Sequence, residues 1–225
     1  MKKRVNVGKK ILIANEEYAL KNSQFLAKQK KLCLNMISSP GSGKTTILVR
    51  TISELKNKIK IGVIEGDIQT DIDAKRIKAT KAPAVQIETG GSCHLSAAQV
   101  SGALNNLPVS DLDLIFIENV GNLICPTAFE LGEWGKIAVL SVAEGDDKPA
   151  KYPAIFAKSK VLLINKIDLL SIGALVDFDI ERVRADVRKL NKDIKILPVS
   201  AKTGQGMADW YDWLKEAVKI YKANN

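Results

Sequence analysis

Several short segments of this chain carry residue types that can do chemistry at close spacing. The first is Ser38-Ser39-Pro40-Gly41-Ser42-Gly43-Lys44-Thr45-Thr46, which follows the apolar run Leu32 to Ile37. Its glycines let backbone N–H groups converge on phosphate oxygens with no Cβ in the way. A helix beginning here adds the positive end of its dipole. Lys44 supplies a point charge for β- and γ-phosphates, and the Thr45 hydroxyl is a ligand for Mg²⁺. Pro40, Gly41, Ser42, Gly43, Lys44, Thr45 and Thr46 are therefore the expected phosphate cradle. The usual pattern opens on glycine and here Ser38 holds that place, but with Gly41 and Gly43 present the loop is still expected to form. The bland alternative is a glycine turn with an incidental lysine, and a strand before it and a helix after it argue against that.

A second segment, Asn165-Lys166-Ile167-Asp168, follows the apolar run Val161 to Ile164. A carboxylate at Asp168 can accept hydrogen bonds from N1–H and the 2-amino group of guanine, donors that adenine does not offer there. The wrong base would leave the charge unpaired. The stem of Lys166 can cover the face of the base, and Asn165 can tie neighbouring loops together. Alone the tetrapeptide also reads as a polar turn; downstream of a phosphate loop it reads as a base site. Ser200-Ala201-Lys202-Thr203-Gly204, after the last apolar run, has the form of a guanine-supporting loop in which a backbone N–H reaches the base oxygen.

Two acidic segments also follow strand-like runs: Glu65-Gly66-Asp67-Ile68-Gln69-Thr70 and Glu118-Asn119-Val120-Gly121. Mg²⁺ takes few carboxylates and keeps several waters. Thr45 and Asp67 are the expected nearest protein groups, with Glu118 in the ion's shell. Lys44, Thr45, Asp67 and Glu118 make up the expected catalytic set. Gly121 would sense a γ-phosphate through its N–H, so that the loop after it responds to hydrolysis. No glutamine follows Gly121 to orient a water, and slow intrinsic hydrolysis is expected.

The chain has three cysteines and one histidine. Cys93 and His94 are adjacent within Gly90-Gly91-Ser92-Cys93-His94-Leu95, and Cys125 closes Gly121-Asn122-Leu123-Ile124-Cys125. Both loops are expected at one edge of the same sheet. Thiolate and imidazole suit Zn²⁺ and Ni²⁺. Cys93, placed near the start of a helix, is expected to have an acidic thiol. Equally open is that the two cysteines are small buried residues and His94 a helix-start residue. A cysteine nucleophile is disfavoured, because no further histidine exists to serve as its base. Two or three ligands leave a four-coordinate site incomplete, and a two-fold dimer is the simplest completion.

These segments must be held by a scaffold, and the rest of the chain describes one. Its 225 residues are enough for one domain with a sizeable core, and 46% hydrophobic with 26% charged residues is a globular composition. Seven apolar runs, Leu32 to Ile37, Ile59 to Ile64, Ala84 to Ile87, Leu112 to Ile117, Ile137 to Val142, Val161 to Ile164 and Ile194 to Val199, alternate with helical patterns near 45–57, 70–80, 94–106, 180–190 and 207–222. Continuous apolar runs suit strands buried on both faces. The alternation implies an α/β doubly wound fold, a mostly parallel sheet with helices on both faces. Residues 1–30 read as an N-terminal extension with a helix over 14–30, and 31–225 as a P-loop domain. The extension either packs on the domain or contacts a partner. No apolar run reaches the ~20 residues of a membrane span, and Ile11 to Ala14 is too short for a signal peptide, so a cytoplasmic protein is expected. The net charge of +9 comes from lysines spread along the chain, and with 5% aromatic residues it argues for a solvated surface over a nucleic-acid stripe. The odd cysteine count argues against a disulfide framework.

Taken together, SSPGSGKTT, EGDIQTDIDAKRI, TGGSCHLSA, ENVGNLICP, SVAEGDDKPAKYP, NKID and SAKTG make the chain resemble the HypB family of hydrogenase nickel-incorporation GTPases, from about Ile37 onward. The resemblance implies GTP and Mg²⁺ as nucleotide and cofactor, and a GTP-promoted homodimer. It implies Ni²⁺ or Zn²⁺ at Cys93, His94 and Cys125, and passage of nickel to the [NiFe]-hydrogenase large subunit with a HypA-type co-chaperone. It also raises a role for Lys148 or Lys151 across the dimer. The N-terminal cysteine-rich or histidine-rich stretches of some members have no counterpart, since no cysteine precedes Cys33. Cys33 itself reads as a buried strand residue. The competing functions are a urease-type nickel GTPase, whose metal motif differs, a nucleic-acid-associated GTPase, and a binding module with an inert nucleotide site.

Overall fold

The computed structural model describes residues 7–67, 72–173 and 176–225. Its core is a seven-stranded sheet in the order β3-β2-β4-β1-β5-β6-β7. The strands are β1 (Leu32–Ser38), β2 (Ile61–Asp67), β3 (Ala84–Glu88), β4 (Leu114–Glu118), β5 (Gly135–Ser141), β6 (Ser159–Asn165) and β7 (Lys195–Pro198). Every neighbouring pair is parallel. The nine α-helices among the described residues are α1 (Val7–Lys28), α2 (Lys44–Leu55), α3 (Ile72–Lys78), α4 (Ala97–Asn105), α5 (Cys125–Ala128), α6 (Lys148–Lys151), α7 (Pro153–Lys158), α8 (Ile180–Leu190) and α9 (Met207–Asn224). The doubly wound α/β architecture expected from the alternation is present, and all seven apolar runs form strands.

Side chains along a strand alternate between the faces of the sheet. Leu32, Leu34 and Met36 of β1 join the layer containing α2, α3 and α9, with Trp210 fully buried in it. Cys33 faces the opposite layer with α1 and α4, and Ile37 faces the neighbouring part of that layer with α7 and α8. Helix α2 buries Ile47, Leu48, Thr51, Ile52 and Leu55, the spacing of a single helical face. The winding reverses at β1, so the crevice at the carboxyl ends of β4, β1 and β5 is where such folds hold ligands.

The helix expected over 14–30 begins earlier, at Val7, and is fastened to the sheet layer by two asparagines. Asn15 accepts from the Ala97 N–H at 2.8 Å and donates to the Glu130 carbonyl at 2.7 Å. Asn22 donates to the carbonyls of Ala97 and Leu131 at 2.8 and 2.9 Å. Asn15 and Asn22 thus hold this helix against the domain. Among the described residues no helix is long and apolar enough to cross a membrane.

Candidate functional site

The loop between β1 and α2 can turn because Gly43 adopts a left-handed φ of 96°. A Cβ there would also stand 2.5 Å from the Asn165 amide nitrogen, so this position accepts only glycine on two counts. The side chains of Ser38, Ser42, Lys44, Thr45 and Thr46 have partners within the protein. The Lys44 ammonium donates to the Ser38 hydroxyl at 2.9 Å, so the serine that replaces the usual glycine holds the lysine. The Ser42 hydroxyl donates to Glu144 Oε1 at 2.6 Å, and the Thr45 hydroxyl donates to Glu118 Oε1 at 2.7 Å. Arg76 of α3 donates to the Thr46 hydroxyl at 3.0 Å. Pro40, Gly41, Gly43, Lys44, Thr45 and Thr46 line a cleft of about 450 Å³, closed on its far side by Glu65, Glu118, Asn119 and Gly121.

The expected switch glycine makes a close approach to this loop. An added Cβ at Gly121 would meet Pro40 Cγ at 2.9 Å and its backbone at 3.0 Å. Glu118 is buried at the end of β4. The Thr45–Glu118 pair sets two hard oxygen groups beside Lys44, the donor chemistry that magnesium takes. The third expected ligand, Asp67, closes β2, but its side chain lies outside the described residues, as do Ile68 to Asp71. Among the described residues of β2, Glu65 lines the cleft, a residue with no role in the sequence reading.

The base-reading residues lie next to the cradle. Asn165 donates to the Ser42 carbonyl at 2.8 Å and accepts from the Ala201 N–H at 3.1 Å, joining three loops. Lys166 has a left-handed φ of 65° and donates to the Gly41 carbonyl at 2.7 Å. Ser200 donates to Asp168 Oδ1 at 2.6 Å, which orients the carboxylate. Gly43, Thr46, Asn165, Lys166, Asp168, Ala201 and Lys202 line a hollow of about 310 Å³. Gly43, Thr46 and Lys166 belong to both spaces, so a base in one and phosphates in the other would be continuous.

Cys93, His94 and Cys125 form a cluster whose ligand atoms all lie within 4.8 Å of one another. The reading of Cys93 and Cys125 as buried packing residues is not what the structure shows, since Cys93 is exposed and Cys125 half-buried. Cys33 is fully buried, and burial pushes its thiol pKa well up, with Glu133 adding to it. Cys93 Sγ is 3.6 Å from His94 Nδ1, and the His94 ring packs on Phe129 with centroids 3.9 Å apart. Burial lowers the His94 pKa, favouring the neutral ring that ligates metals. The hydrogen bond from the Cys93 sulfur is the first cause that raises the Cys125 pKa; burial and the Cys93 charge add to it, while Asn122 opposes. One expectation is corrected. The helix after Cys93 starts at Ala97, not 94, and its first turn is capped by Ser96 and Gln99 in a capping box. Cys93 lies three residues before that cap.

A buried polar chain, which the sequence reading missed, runs under both sites. Lys136 pairs with Glu133 at 2.7 Å, and the Asn35 amide donates to Glu133 at 3.0 Å. The Asn119 amide donates to Asn35 Oδ1 at 3.2 Å, and Asn119 Oδ1 accepts from the N–H groups of Leu95 at 3.2 Å and Val120 at 3.0 Å. Burial would raise the Glu133 pKa, but the Lys136 charge and the hydrogen bonds from Lys136, Asn35 and the Leu131 N–H outweigh it and hold the carboxyl below its ordinary value. Asn35 sits inside an apolar run and carried no signal of this role.

A family model described as CobW/HypB/UreG, nucleotide-binding domain, matches residues 33–198. Over 205 residues the chain is 49% identical to hydrogenase maturation factor HypB of Escherichia coli (strain K12), covering 91% of this chain and 70% of that protein. The crystal structure of hydrogenase maturation factor HypB from Archaeoglobus fulgidus matches with a TM-score of 0.84 at 38% identity, over 92% of this chain and 100% of that one. The crystal structure of HypB from Helicobacter pylori in complex with nickel matches with a TM-score of 0.86 at 36% identity, over 92% and 96%.

Proposed function

The chain belongs to the HypB hydrogenase maturation factors of the CobW/HypB/UreG nucleotide-binding family, and from that premise we propose that it is a GTP-hydrolysing metallochaperone that carries nickel as cargo for [NiFe]-hydrogenase. The observation that carries this reading is the span Glu118 to Cys125. One end is bonded to Thr45 in the phosphate cradle, and the other supplies a sulfur to the Cys93–His94–Cys125 cluster.

Asp168, held by Ser200, accepts the two guanine N–H groups, and Asn165 keeps the Ala201 turn beside the base. Lys44 moves its ammonium from the Ser38 hydroxyl to the β- and γ-phosphates. A magnesium ion bound by Thr45, Glu118 and Asp67 would neutralise phosphate charge. Water attacks the γ-phosphorus and the bond to the β-phosphate oxygen breaks, giving GDP and phosphate. With no glutamine after Gly121, intrinsic turnover is slow. A change at the γ-phosphate shifts Gly121, which has no slack against Pro40, and with it the Cys125 arm.

Cys93, His94 and Cys125 offer soft and borderline ligands that suit Ni²⁺ and also Zn²⁺. The nickel held by the Helicobacter pylori relative favours nickel as the cargo. Three ligands from one chain leave room for a fourth from a second copy, which fits a GTP-promoted homodimer. Lys148 and Lys151 are the two ends of α6, which follows β5, with Lys151 exposed and paired to Asp147, where a second chain could use them. A HypA-type co-chaperone and the hydrogenase large subunit are the donor and acceptor that this role requires. The test is nickel affinity with GDP and with a non-hydrolysable GTP analogue, with mass in solution recorded each time. Binding should depend on Cys93 and differ about 5- to 150-fold between nucleotides, and Cys125→Ala should remove the difference. Tight guanine binding with no nickel in either state would sink the carrier reading.

A further inference from the structure

Only one arm of the Cys93–His94–Cys125 cluster is joined to the nucleotide cleft through the chain itself. Cys125 follows Gly121 by four residues, but Cys93 and His94 lie on the loop after β3, and β2 separates β3 from β4. We infer that Asn119 is the positioning residue that passes nucleotide state to the Cys93–His94 arm, by sharing its amide oxygen between the N–H groups of Val120 and Leu95. This rests on the nucleotide-coupled carrier reading and names how the second half of that site would be moved.

Asn119 is clamped to the phosphate loop from both sides. Glu118 before it accepts from Thr45, and Gly121 two residues after it sits against Pro40 with no space for a Cβ. A change in the cradle therefore shifts the backbone on which Asn119 stands. Its side chain is 1% exposed, so the amide cannot trade a lost partner for water without cost. The nitrogen end is pinned through Asn35 to the Glu133–Lys136 pair. The oxygen end takes two donors, Leu95 at 3.2 Å and Val120 at 3.0 Å. A displaced Val120 carries the oxygen with it or leaves it behind, and the Leu95 bond changes in either case.

Leu95 transmits that change because it is itself an anchor. Its side chain is fully buried and packs over Gly66 of β2, where an added Cβ would meet its carbon atoms at 2.8 Å. The next residue, Ser96, caps α4. His94 and Cys93 are therefore the first residues on the free side of a fixed point, within two Cα–Cα steps of about 3.8 Å each. A shift at Leu95 changes where the imidazole and the first sulfur stand relative to Cys125. Both halves of the cluster then answer to Asn119, one through the chain and one through a hydrogen bond.

The first test needs no metal. Hydrogen exchange at the Leu95 amide is measured in the wild-type protein with GDP and with a non-hydrolysable GTP analogue. At least about a fivefold difference in exchange rate is expected. Equal rates in the two states would overturn the inference. The second test compares nickel affinity across the same two states in Asn119→Ala and Asn119→Asp. The alanine variant should reduce the nucleotide-dependent ratio to below about twofold, while the aspartate, which keeps the acceptor oxygen, should retain part of it. An undiminished ratio in Asn119→Ala would also overturn it. If the wild type binds no nickel and Leu95 still responds to nucleotide, the carrier reading fails and the relay stands.

Discussion

The nucleotide cleft and the cysteine–histidine cluster lie at the same edge of the same sheet, yet they are built in opposite ways. In the cleft four of the described working side chains are held by protein partners. Lys44 is on Ser38, Thr45 on Glu118, Asn165 on Ser42 and Ala201, and Asp168 on Ser200. Protein partners of this kind restrict side-chain freedom that ligand binding would otherwise have to freeze. The contacts of Cys93, His94 and Cys125 are with one another, with Asn122 and with the ring of Phe129, at a half-exposed surface. A site that must release its cargo gains from ligands that can separate, whereas a site that must discriminate bases and align a phosphate gains from ligands that cannot. The two meet at Asn119.

The comparison can be broken most forcefully from below. Lys136→Met leaves Glu133 buried without its countercharge and should lower stability by about 3–5 kcal/mol, read by chemical denaturation. The same pair sets an acid limit. The folded-state pKa of Glu133 is depressed, so its contribution is complete above the ordinary carboxylate pKa of about 4.3 and is lost as pH falls through the folded value. The wild-type melting temperature should fall across that window, and Glu133→Gln should flatten the fall. A melting temperature independent of pH there would mean that the buried chain does not support the two sites.

A smaller change separates the two sites from each other. Asp168→Asn should cost about 3 kcal/mol of GDP affinity, more than 100-fold, because both charge-assisted bonds to guanine are lost or weakened. Nickel affinity in the absence of nucleotide should not move. A parallel loss of nickel would show that the cluster depends on the base pocket and that the contrast is false. Smallest is Ser200→Ala, which removes the hydroxyl holding Asp168 at 2.6 Å. A loss of about 1 kcal/mol, roughly fivefold in GDP affinity by titration, is expected if preorganisation of that carboxylate matters. No change would mean that the carboxylate is ordered by the base itself.

The phosphate loop, the base tetrapeptide and the Ser200 turn were legible in the sequence because each is contiguous. A short segment can state its own backbone requirement, as Gly43 does with its left-handed φ, and place the next side chain by spacing alone. The seven strands were legible for the same reason, as local runs buried on both faces. What those runs could not state was their neighbours. They are alike in apolarity, so nothing in their pattern puts β4 between β2 and β1, and that order decides that the loops bearing Cys93 and Cys125 converge. Asn35, Glu133, Lys136 and Asn119 were silent for a further reason. Asn119 and Asn35 lie 84 positions apart, and Asn35 and Glu133 lie 98 apart. A polar side chain inside an apolar run acquires a role only when strand order and register bring it a partner. The sequence alone thus determined which chemistry the chain can do and on which loops. The tertiary structure decided which of those loops touch, because parallel strands pair by packing and register that no contiguous segment contains.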